Sequence, residues 1–245
     1  MAEFERRYAT AQTGTRTDTA AYDAGLRAFM LSVYNYMGGA VALSGVVAYG
    51  TYLAAASNPD IANLIFASPL RWVIMLAPLA MVFFLSFRIN SMSLGTAQAS
   101  FWIYAALVGL SLASIFIVFT GESIARVFFI TGAAFGATSL WAYTTKQDLS
   151  GWGSFLFMGL IGVIIAAVVN LFLQSSAMQF AISVITVLVF TGLTAYDTQK
   201  LKNIYYAVGH DAVVAGKSAI MGALNLYLDF LNIFLALLNL FGNRE

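Results

Sequence analysis

The sequence contains no cysteine and only one histidine, His210. The absence of cysteine excludes disulfides, thiolate metal sites and cysteine nucleophiles. His210 stands beside Asp211 in a polar segment, without the cluster of ligands that a zinc protease requires. It is also misplaced to serve a buried serine nucleophile, so a serine hydrolase is not indicated. We interpret His210 as a solvated loop residue.

Charged residues are scarce as well. They make up 9% of the 245 residues, whereas 60% are hydrophobic and the mean hydropathy is +0.82. An ordinary soluble domain has roughly 25% charged residues. Twelve basic and eleven acidic side chains cannot cover the surface of a soluble protein of this size. The composition therefore excludes a soluble enzyme, a fibrous protein and a disordered chain, and it predicts an all-α polytopic membrane protein. The net charge of +1 gives no reason to expect nucleic acid as a partner.

Long apolar segments account for this composition. A helix needs about 20 mainly apolar residues to cross a bilayer, and seven segments of the chain meet that requirement. The lipid bilayer is thus the first expected partner. The predicted spans are Ala28–Ala55, Pro69–Phe87, Ala97–Phe119, Ser123–Thr145, Trp152–Leu173, Ala177–Tyr196 and Ser218–Phe241. They predict one seven-helix transmembrane domain over residues 28–242, with the segment Asp197 to Lys217 as its longest loop.

Orientation is predicted from lysine and arginine, which concentrate on the cytoplasmic side of membrane proteins. Nine of the twelve fall on the side of the N-terminus and three on the other side. We therefore expect residues 1–27 to form a flexible polar tail in the cytoplasm, and the C-terminus to lie outside. The short tails favour a bacterial inner-membrane protein.

Small residues recur every four positions in two of the predicted helices. Ala105, Gly109 and Ala113 form one such row, and Gly132 and Gly136 form another. Rows of this kind let helix backbones approach closely in lipid. Both rows are predicted to pack against other helices of the bundle. The oligomeric state is left open by the sequence.

Asp229 is the most unusual residue of the chain, because it lies near the middle of the seventh span with apolar turns on both sides. At about 100° per residue, Asn225, Asn232 and Asn239 fall on the same face as Asp229. Such a polar seam cannot comfortably face lipid, so helix seven is predicted to be central in the bundle. The asparagines alone would suit hydrogen bonds between helices. A carboxylate at this depth is expensive and indicates a functional site.

Asp197 is the second candidate, at the predicted cytoplasmic end of helix six and close to Lys200 and Lys202. A solvated carboxylate at a helix end is the alternative interpretation. Because helices six and seven run antiparallel, Asp197 and Asp229 can meet across the seam. Two adjacent carboxylates cannot both ionise cheaply, so the pair is expected to share a proton. Loss of that proton would loosen the seam and leave oxygens that attract a hard cation such as calcium in transit.

Three segments of the sequence resemble the Bax inhibitor-1 family, whose bacterial members are called YccA-like. They are Thr191–Lys202 (TGLTAYDTQKLK), Leu226–Asn232 (LYLDFLN) and Phe135–Leu140 (FGATSL). The resemblance implies a seven-helix bundle with helix seven enclosed by the other six. It also implies a pH-sensitive calcium leak channel, gated by the aspartate pair at Asp197 and Asp229. Apart from calcium as a permeant ion, no cofactor is expected.

The same resemblance implies two further features. An arginine at the cytoplasmic end of helix two acts as a latch in the family, and Arg88 stands in that region. YccA-like members are also associated with a membrane-bound AAA protease, as modulators or substrates. A non-transporting regulator or substrate of such a protease is therefore the alternative function.

An intramembrane aspartyl protease is a more remote alternative. Tyr196-Asp197 and Asp229 would supply the dyad. However, Tyr227 and Leu228 replace the Gly-x-Gly that precedes the second aspartate in those enzymes, and the Pro-Ala-Leu signature is missing. We therefore do not expect an enzyme.

Overall fold

The structure is a computed structural model that describes the backbone of residues 2–244 and the side chains of residues 23–244. Within that part of the chain, seven helices are long and apolar enough to span a membrane. This confirms the predicted all-α, seven-span fold. The seven are α1 (Ala2–Ser57), α2 (Leu70–Arg88), α3 (Leu94–Leu112), α4 (Gly121–Thr144), α5 (Gly153–Leu173), α6 (Ser176–Val208) and α7 (Ala212–Phe241).

Short helical segments connect these helices. An α-helical turn at Pro59–Ala62 and a π-helical turn at Asn63–Ala67 follow α1, and a turn of helix at Ile115–Val118 follows α3. Two 3₁₀ turns, Ile89–Ser91 and Ser150–Trp152, complete the connections. The predicted polar tail, residues 1–27, falls mostly on residues whose side chains lie outside the described part, so it stays a prediction.

Several helices begin where a polar side chain satisfies free backbone N–H groups. Ser93, Thr120 and Ser175 each accept a hydrogen bond from the backbone N–H three residues later, at the start of α3, α4 and α6. Asp211 accepts from the N–H groups of Val213 and Val214 at the start of α7. These side chains occur at the helix starts because the first backbone N–H groups of a helix have no partner within it. Leaving those groups unpaired would cost free energy.

Helix α7 is the centre of the bundle. In its most apolar window 72% of the residues are buried, against 11–33% in the other six helices. It packs mainly against α1, α3, α4 and α6, while α2 lies on α3 and α5 lies on α6. The expectation of a central helix seven is confirmed, but its enclosure is formed chiefly by four helices and not by all six. Helices α2 and α5 are peripheral because most of their apolar surface faces outward.

The described lysines and arginines sort to the two ends of the bundle. Six of the nine between residues 23 and 244 lie at the end that holds the α2–α3, α4–α5 and α6–α7 connections, which we call the basic face. Arg71, Arg126 and Arg244 lie at the opposite face. There the C-terminal segment is fixed to the α3–α4 connection, since the Thr120 N–H donates to the Asn243 carbonyl at 3.0 Å.

The predicted small-residue rows have different outcomes. Ala105, Gly109 and Ala113 of α3 pack closely, and a Cβ atom built on Gly109 would lie 2.6 Å from the Ser44 carbonyl oxygen of α1. This row confirms the prediction. Gly132 and Gly136 of α4 are exposed, and a Cβ built on either meets nothing within 4 Å. The prediction that this second row packs within the bundle is wrong, because no atom of a neighbouring helix lies within contact distance of a Cβ at either glycine.

A buried hydroxyl group joins α1, α3 and α7. The Ser44 Oγ lies 2.8 Å from the Ala40 carbonyl, 2.7 Å from the Ala105 carbonyl and 2.5 Å from the Tyr227 hydroxyl. Because Ser44 has one proton and both carbonyls only accept, Tyr227 donates to Ser44. The side chain of Tyr227 is fully buried.

We expect Tyr227→Phe to lower the free energy of unfolding by about 1 kcal/mol, the usual value of one buried hydrogen bond. Tyr49→Phe is the matched control, because the Tyr49 side chain is 50% exposed. Chemical denaturation in detergent measures both variants. An equal loss in the two would contradict this assignment.

Candidate functional site

Asp229 lies in the middle of α7 and is 4% exposed. Its backbone is helical, and its neighbours Phe230 and Leu231 are buried in the apolar core. Among the described residues, the Oδ2 atom of Asp229 is the only buried side-chain oxygen or nitrogen without a hydrogen-bond partner. Buried polar atoms are nearly always paired, since an unpaired one costs free energy. This atom therefore needs an explanation beyond packing.

Asp197 lies within α6 and not at its end. The sequence analysis placed the end of helix six at Tyr196 and a long loop after it, whereas α6 continues for about three further turns to Val208. Only Gly209–Asp211 separates α6 from α7. The prediction failed because residues 197–208 are too polar to count as a membrane span, although they remain helical.

The two carboxylates interact across the contact between α6 and α7. Asp197 and Asp229 lie close enough for each charge to act on the other, and these two helices form the most extensive pair in the bundle. Lys200, one turn after Asp197, also acts on the Asp197 carboxylate. The structure thus brings together the two aspartates that the sequence singled out.

A polar cavity of about 330 Å³ opens beside Asp197 at the basic face. Its charged and amide residues are Asn90, Asp197, Lys200, Lys217 and Asn225. Lys217 is partly buried, and its Nζ donates a hydrogen bond of 3.1 Å to the Asn90 carbonyl. The sequence analysis did not assign Lys217 to the site, since it stands before the predicted start of helix seven. Its approach to the α2–α3 connection is visible only in the tertiary structure.

Arg88, the predicted latch, ends α2 and is exposed. The residues that follow it, Ile89 and Asn90, line the cavity beside Asp197, whereas Arg88 does not. The structure thus places Arg88 near the site but outside the cavity, and its role as a latch stays a prediction.

The asparagines of the polar seam differ in their surroundings. Asn225 lines the cavity at the basic face. The Nδ2 atoms of Asn232 and Asn239 donate to the carbonyls of Leu228 and Leu235 in their own helix, at 2.8 and 2.9 Å. These two amide donors are therefore satisfied within α7. They do not connect α7 to a neighbouring helix, as the alternative interpretation of the stripe requires.

A second polar cavity, of about 740 Å³, lies at the opposite end of the α6–α7 contact. Ser183 of α6 and Asn239 of α7 line it together with Asn170, Gln179 and Arg244. Asn170 is 9% exposed, and its Nδ2 donates to the Gln179 side chain at 3.1 Å. The sequence analysis missed this cavity, although an asparagine near the end of the apolar α5 was a signal that could have indicated it.

Between the two cavities, α6 carries buried hydroxyls and one ring. Thr186 and Thr194 donate to the carbonyls of Ile182 and Phe190 in their own helix, at 2.7 and 2.8 Å. The Phe190 side chain is buried in the core between them. The contact between α6 and α7 is thus polar at both ends and closed by apolar packing in between.

Metal ligands are few around this pair. Within residues 23–244, no three histidine, cysteine, aspartate or glutamate side chains are grouped so that they could hold a metal ion. Two carboxylates alone offer fewer oxygens than the six to eight that calcium takes in a stable protein site. The geometry suits transient contact with a cation better than permanent coordination.

Comparison with known proteins identifies the family. The profile of the family described as inhibitor of apoptosis-promoting Bax1 matches residues 26–245. The chain belongs to the Bax inhibitor-1 family. The match covers all of α2 to α7 and the membrane-spanning part of α1, so it includes both aspartates. The resemblance predicted from Thr191–Lys202 and Leu226–Asn232 is confirmed.

Bacterial relatives extend over nearly the whole chain. The inner membrane protein YbhL of Escherichia coli K12 is 47% identical over 223 residues, which cover 90% of this chain and 94% of YbhL. The uncharacterized protein RP147 of Rickettsia prowazekii is 48% identical over 199 residues, covering 81% and 83% of the two chains. An uncharacterized protein of Caulobacter vibrioides is 44% identical over 220 residues, or 86% of each chain. The seven apolar helices and the name of YbhL support a membrane location. None of the three names states an enzymatic activity.

Proposed function

We propose that this protein is a proton-controlled leak pathway for calcium, with Asp197 and Asp229 as its gate. The observation that carries the proposal is the Oδ2 atom of Asp229, which is buried and without a hydrogen-bond partner beside a second carboxylate. Burying a carboxylate in this way costs free energy, and ionisable residues within membrane helices usually have a functional role. A proton shared with Asp197 would supply the missing hydrogen bond.

The protonation state decides whether α6 and α7 attract or repel each other at this point. With one shared proton, the pair forms a hydrogen bond and the helices stay in contact. With none, the two like charges repel; for scale, any two unit charges 4 Å apart repel by about 4 kcal/mol at an effective dielectric constant of 20. Since 1.4 kcal/mol corresponds to a factor of ten, this repulsion is large enough to change the open fraction by orders of magnitude.

The two polar cavities support a route along α7. The cavity at the basic face brings water to Asp197, and the other reaches Asn239. A rise of 14 residues on each helix, about 21 Å, separates their linings, from Ser183 to Asp197 in α6 and from Asn225 to Asn239 in α7. This stretch includes Phe190 and Asp229. In the proposed mechanism, separation of α6 from α7 joins the two cavities. Calcium then passes with transient help from the carboxylate oxygens.

Basic groups around the gate oppose the cation until it reaches the aspartates. Lys200 and Lys217 line the same cavity as Asp197. Their charges also favour an ionised Asp197, so they promote opening once the pH rises. The proposed balance is thus between two lysines that stabilise negative charge and the buried position of Asp229, which opposes it.

The proposed location is a bacterial inner membrane, with the basic face in the cytoplasm. Nine of the twelve lysines and arginines lie on that side by sequence, and YbhL is named an inner membrane protein. A reporter fused after Glu245 should therefore be active only if it is one that works outside the cytoplasm. Activity of a cytoplasmic reporter at this position would overturn the proposed orientation.

Liposomes that contain the purified protein and a trapped calcium dye test the gate. We expect calcium entry to rise at least about tenfold between pH 5 and pH 8. Asp197→Asn should hold the entry near its low-pH value at both pH values. Asparagine has the shape of a protonated aspartate but cannot lose a proton, so α6 and α7 would remain in contact.

Asp148→Asn is the matched control, because it makes the same chemical change outside the membrane-spanning helices. The Ser150 hydroxyl and N–H hold the pKa of the fully exposed Asp148 below its ordinary value. Asp148 is therefore already ionised at both pH values, and its replacement should leave the pH response intact.

Absence of flux in well-folded wild-type protein would refute the leak pathway and favour the alternative, a non-transporting regulator or substrate of a membrane-bound AAA protease. A pH response that survives in Asp197→Asn would refute the gate.

A further inference from the structure

An apolar groove of about 470 Å³ runs between α1 and α4. Arg27 lies at its basic-face end, with Tyr143 opposite on α4. Met37 of α1 and Phe135 of α4 form its other end. The groove spans the eleven residues of α1 from Arg27 to Met37, a rise of about 15 Å. This is half of the roughly 30 Å hydrocarbon core of a bilayer, and so the depth of one leaflet.

The hydroxyl groups on the floor of the groove are hydrogen-bonded to one another and need no polar ligand. The Tyr34 hydroxyl lies 2.5 Å from the Ser139 Oγ, which lies 2.9 Å from the Oγ1 of Thr198 in α6. Because these hydroxyls hydrogen-bond to one another, an apolar occupant above them leaves no polar group unpaired. The floor therefore accepts a hydrocarbon chain.

The basic-face end of the groove carries positive charge. Arg27 is exposed there. The Lys202 Nζ stands 5.1 Å from the centre of the Tyr143 ring and donates to the Tyr143 carbonyl at 2.7 Å. No acidic residue lines the groove, and Asp23 lies one turn beyond Arg27. A phosphate with no cation of its own fits this end best, since arginine binds phosphate oxygens in pairs.

A comparable groove between α4, α5 and α6 has no arginine in its lining, although the Lys200 Nζ stands 5.9 Å from the centre of the Tyr196 ring beside it. It has about 520 Å³ and is lined by Trp141, Trp152 and Leu156, with neither lysine nor arginine among its lining residues. Any membrane lipid can cover such a surface. The combination of an apolar groove of one leaflet's depth with a cationic end distinguishes the α1–α4 groove.

We propose that the α1–α4 groove binds one acyl chain of an anionic phospholipid from the basic-face leaflet, with the lipid phosphate at Arg27. Gly136 keeps the groove open, because it lines the groove and a Cβ built there meets nothing within 4 Å. The inference stands independently of the proposed leak pathway.

Native mass spectrometry of protein released from vesicles tests this site. The vesicles contain phosphatidylglycerol and phosphatidylcholine in equal amounts. The wild type should retain one phosphatidylglycerol, and Arg27→Gln should reduce its affinity about tenfold, as expected for loss of one charge-assisted hydrogen bond. Arg27→Lys should keep part of the affinity. Arg126→Gln, which removes a charge from the opposite face, should keep all of it.

A pair of glycine variants tests the apolar part. Gly136→Leu should fill the groove and abolish retention, whereas Gly132→Leu should not, although Gly132 is an equally exposed glycine one turn away outside the groove. Circular dichroism verifies that both variants are folded.

Three outcomes would overturn the proposal. The first is equal retention of both lipids, which would mean ordinary boundary lipid. The second is retention unaffected by Gly136→Leu. The third is a wild-type dimer mass that disappears in Gly136→Leu, which would mean that a second copy of the chain occupies the groove.

Discussion

Gly109→Ala is expected to lower the melting temperature by about 6–12 °C. The new Cβ would lie 2.6 Å from the Ser44 carbonyl oxygen, 2.8 Å from the Val47 Cβ and 2.9 Å from the Ser44 Cα. Two of these three atoms belong to the backbone of α1, so no side-chain rotation relieves the contact. Overpacking of this kind costs about 3 kcal/mol, and each kcal/mol shifts the melting temperature of a protein of this size by about 2–4 °C.

The Gly109→Ala substitution also affects hydrogen bonds at the centre of the bundle. Ser44 is the residue that accepts from Tyr227 of α7 and donates to the α3 backbone. A displacement of α1 at this point weakens those hydrogen bonds in addition to the direct steric contact. The expected loss therefore lies at the upper end of the usual range for added methyl groups.

Gly132→Ala is the matched control, because it adds the same methyl group to a position with nothing within 4 Å. Its melting temperature should stay the same or rise slightly, since alanine favours the helix by up to about 1 kcal/mol over glycine. Thermal unfolding in detergent, followed by far-ultraviolet circular dichroism, measures both variants. Equal changes in the two would show that Gly109 is not the tight contact between α1 and α3.

Asp229→Asn is expected to raise the melting temperature at pH 8 by about 2–12 °C and to change it little at pH 5. In the proposed gate, the wild type at pH 8 has to bury an ionised carboxylate whose Oδ2 has no partner. An unpaired buried polar group costs about 1–3 kcal/mol, and a charged one costs more. Asparagine is neutral, and its amide can donate to Asp197. With the same 2–4 °C for each kcal/mol, this gives the expected range.

The sign of the pH effect follows from where protons are bound. In the proposed gate the folded protein shares a proton in the pair, whereas the two carboxylates of the unfolded chain are apart and lose both protons more readily. Because the folded state binds more protons, the wild type should become less stable as the pH rises from 5 to 8. In Asp229→Asn that dependence should be largely absent.

Asp148→Asn should retain the wild-type pH dependence of stability, since Asp148 is fully exposed in the α4–α5 connection. The test requires melting temperatures at pH 5 and pH 8 for the wild type and the two variants. A wild type that is as stable at pH 8 as at pH 5 would contradict the shared proton. Lower stability of Asp229→Asn at both pH values would mean that the carboxylate is needed for packing.

Most of the helical organisation could be predicted from the sequence. The seven predicted spans correspond one by one to α1–α7, because burial of an apolar helix in lipid depends on local composition. The largest error was the end of helix six at Tyr196, since α6 continues to Val208. Hydropathy detects where a helix leaves the apolar region, but it does not detect where the helix itself ends.

The candidate site was predictable in its residues but not in its surroundings. Asp197 and Asp229 stood out because few charges lie in or near the apolar spans. Lys217, the second cavity and the position of Arg88 outside the first cavity were not predictable. Each depends on atoms that come from helices far apart in the sequence.

The glycines show most clearly which features can be predicted from the sequence and which depend on the tertiary structure. The same spacing of small residues in α3 and α4 gave one close helix contact at Gly109 and two exposed positions at Gly132 and Gly136. By itself, the sequence determined the number of spans, the asymmetry of basic residues and the identity of two carboxylates at depth, since these depend on composition and order alone. Only the tertiary structure decided which glycine lies against a neighbouring backbone, which cavity reaches Asp197 and which carboxylate oxygen lacks a partner. Packing and hydrogen bonding are set by atoms that distant parts of the chain bring within a few ångströms.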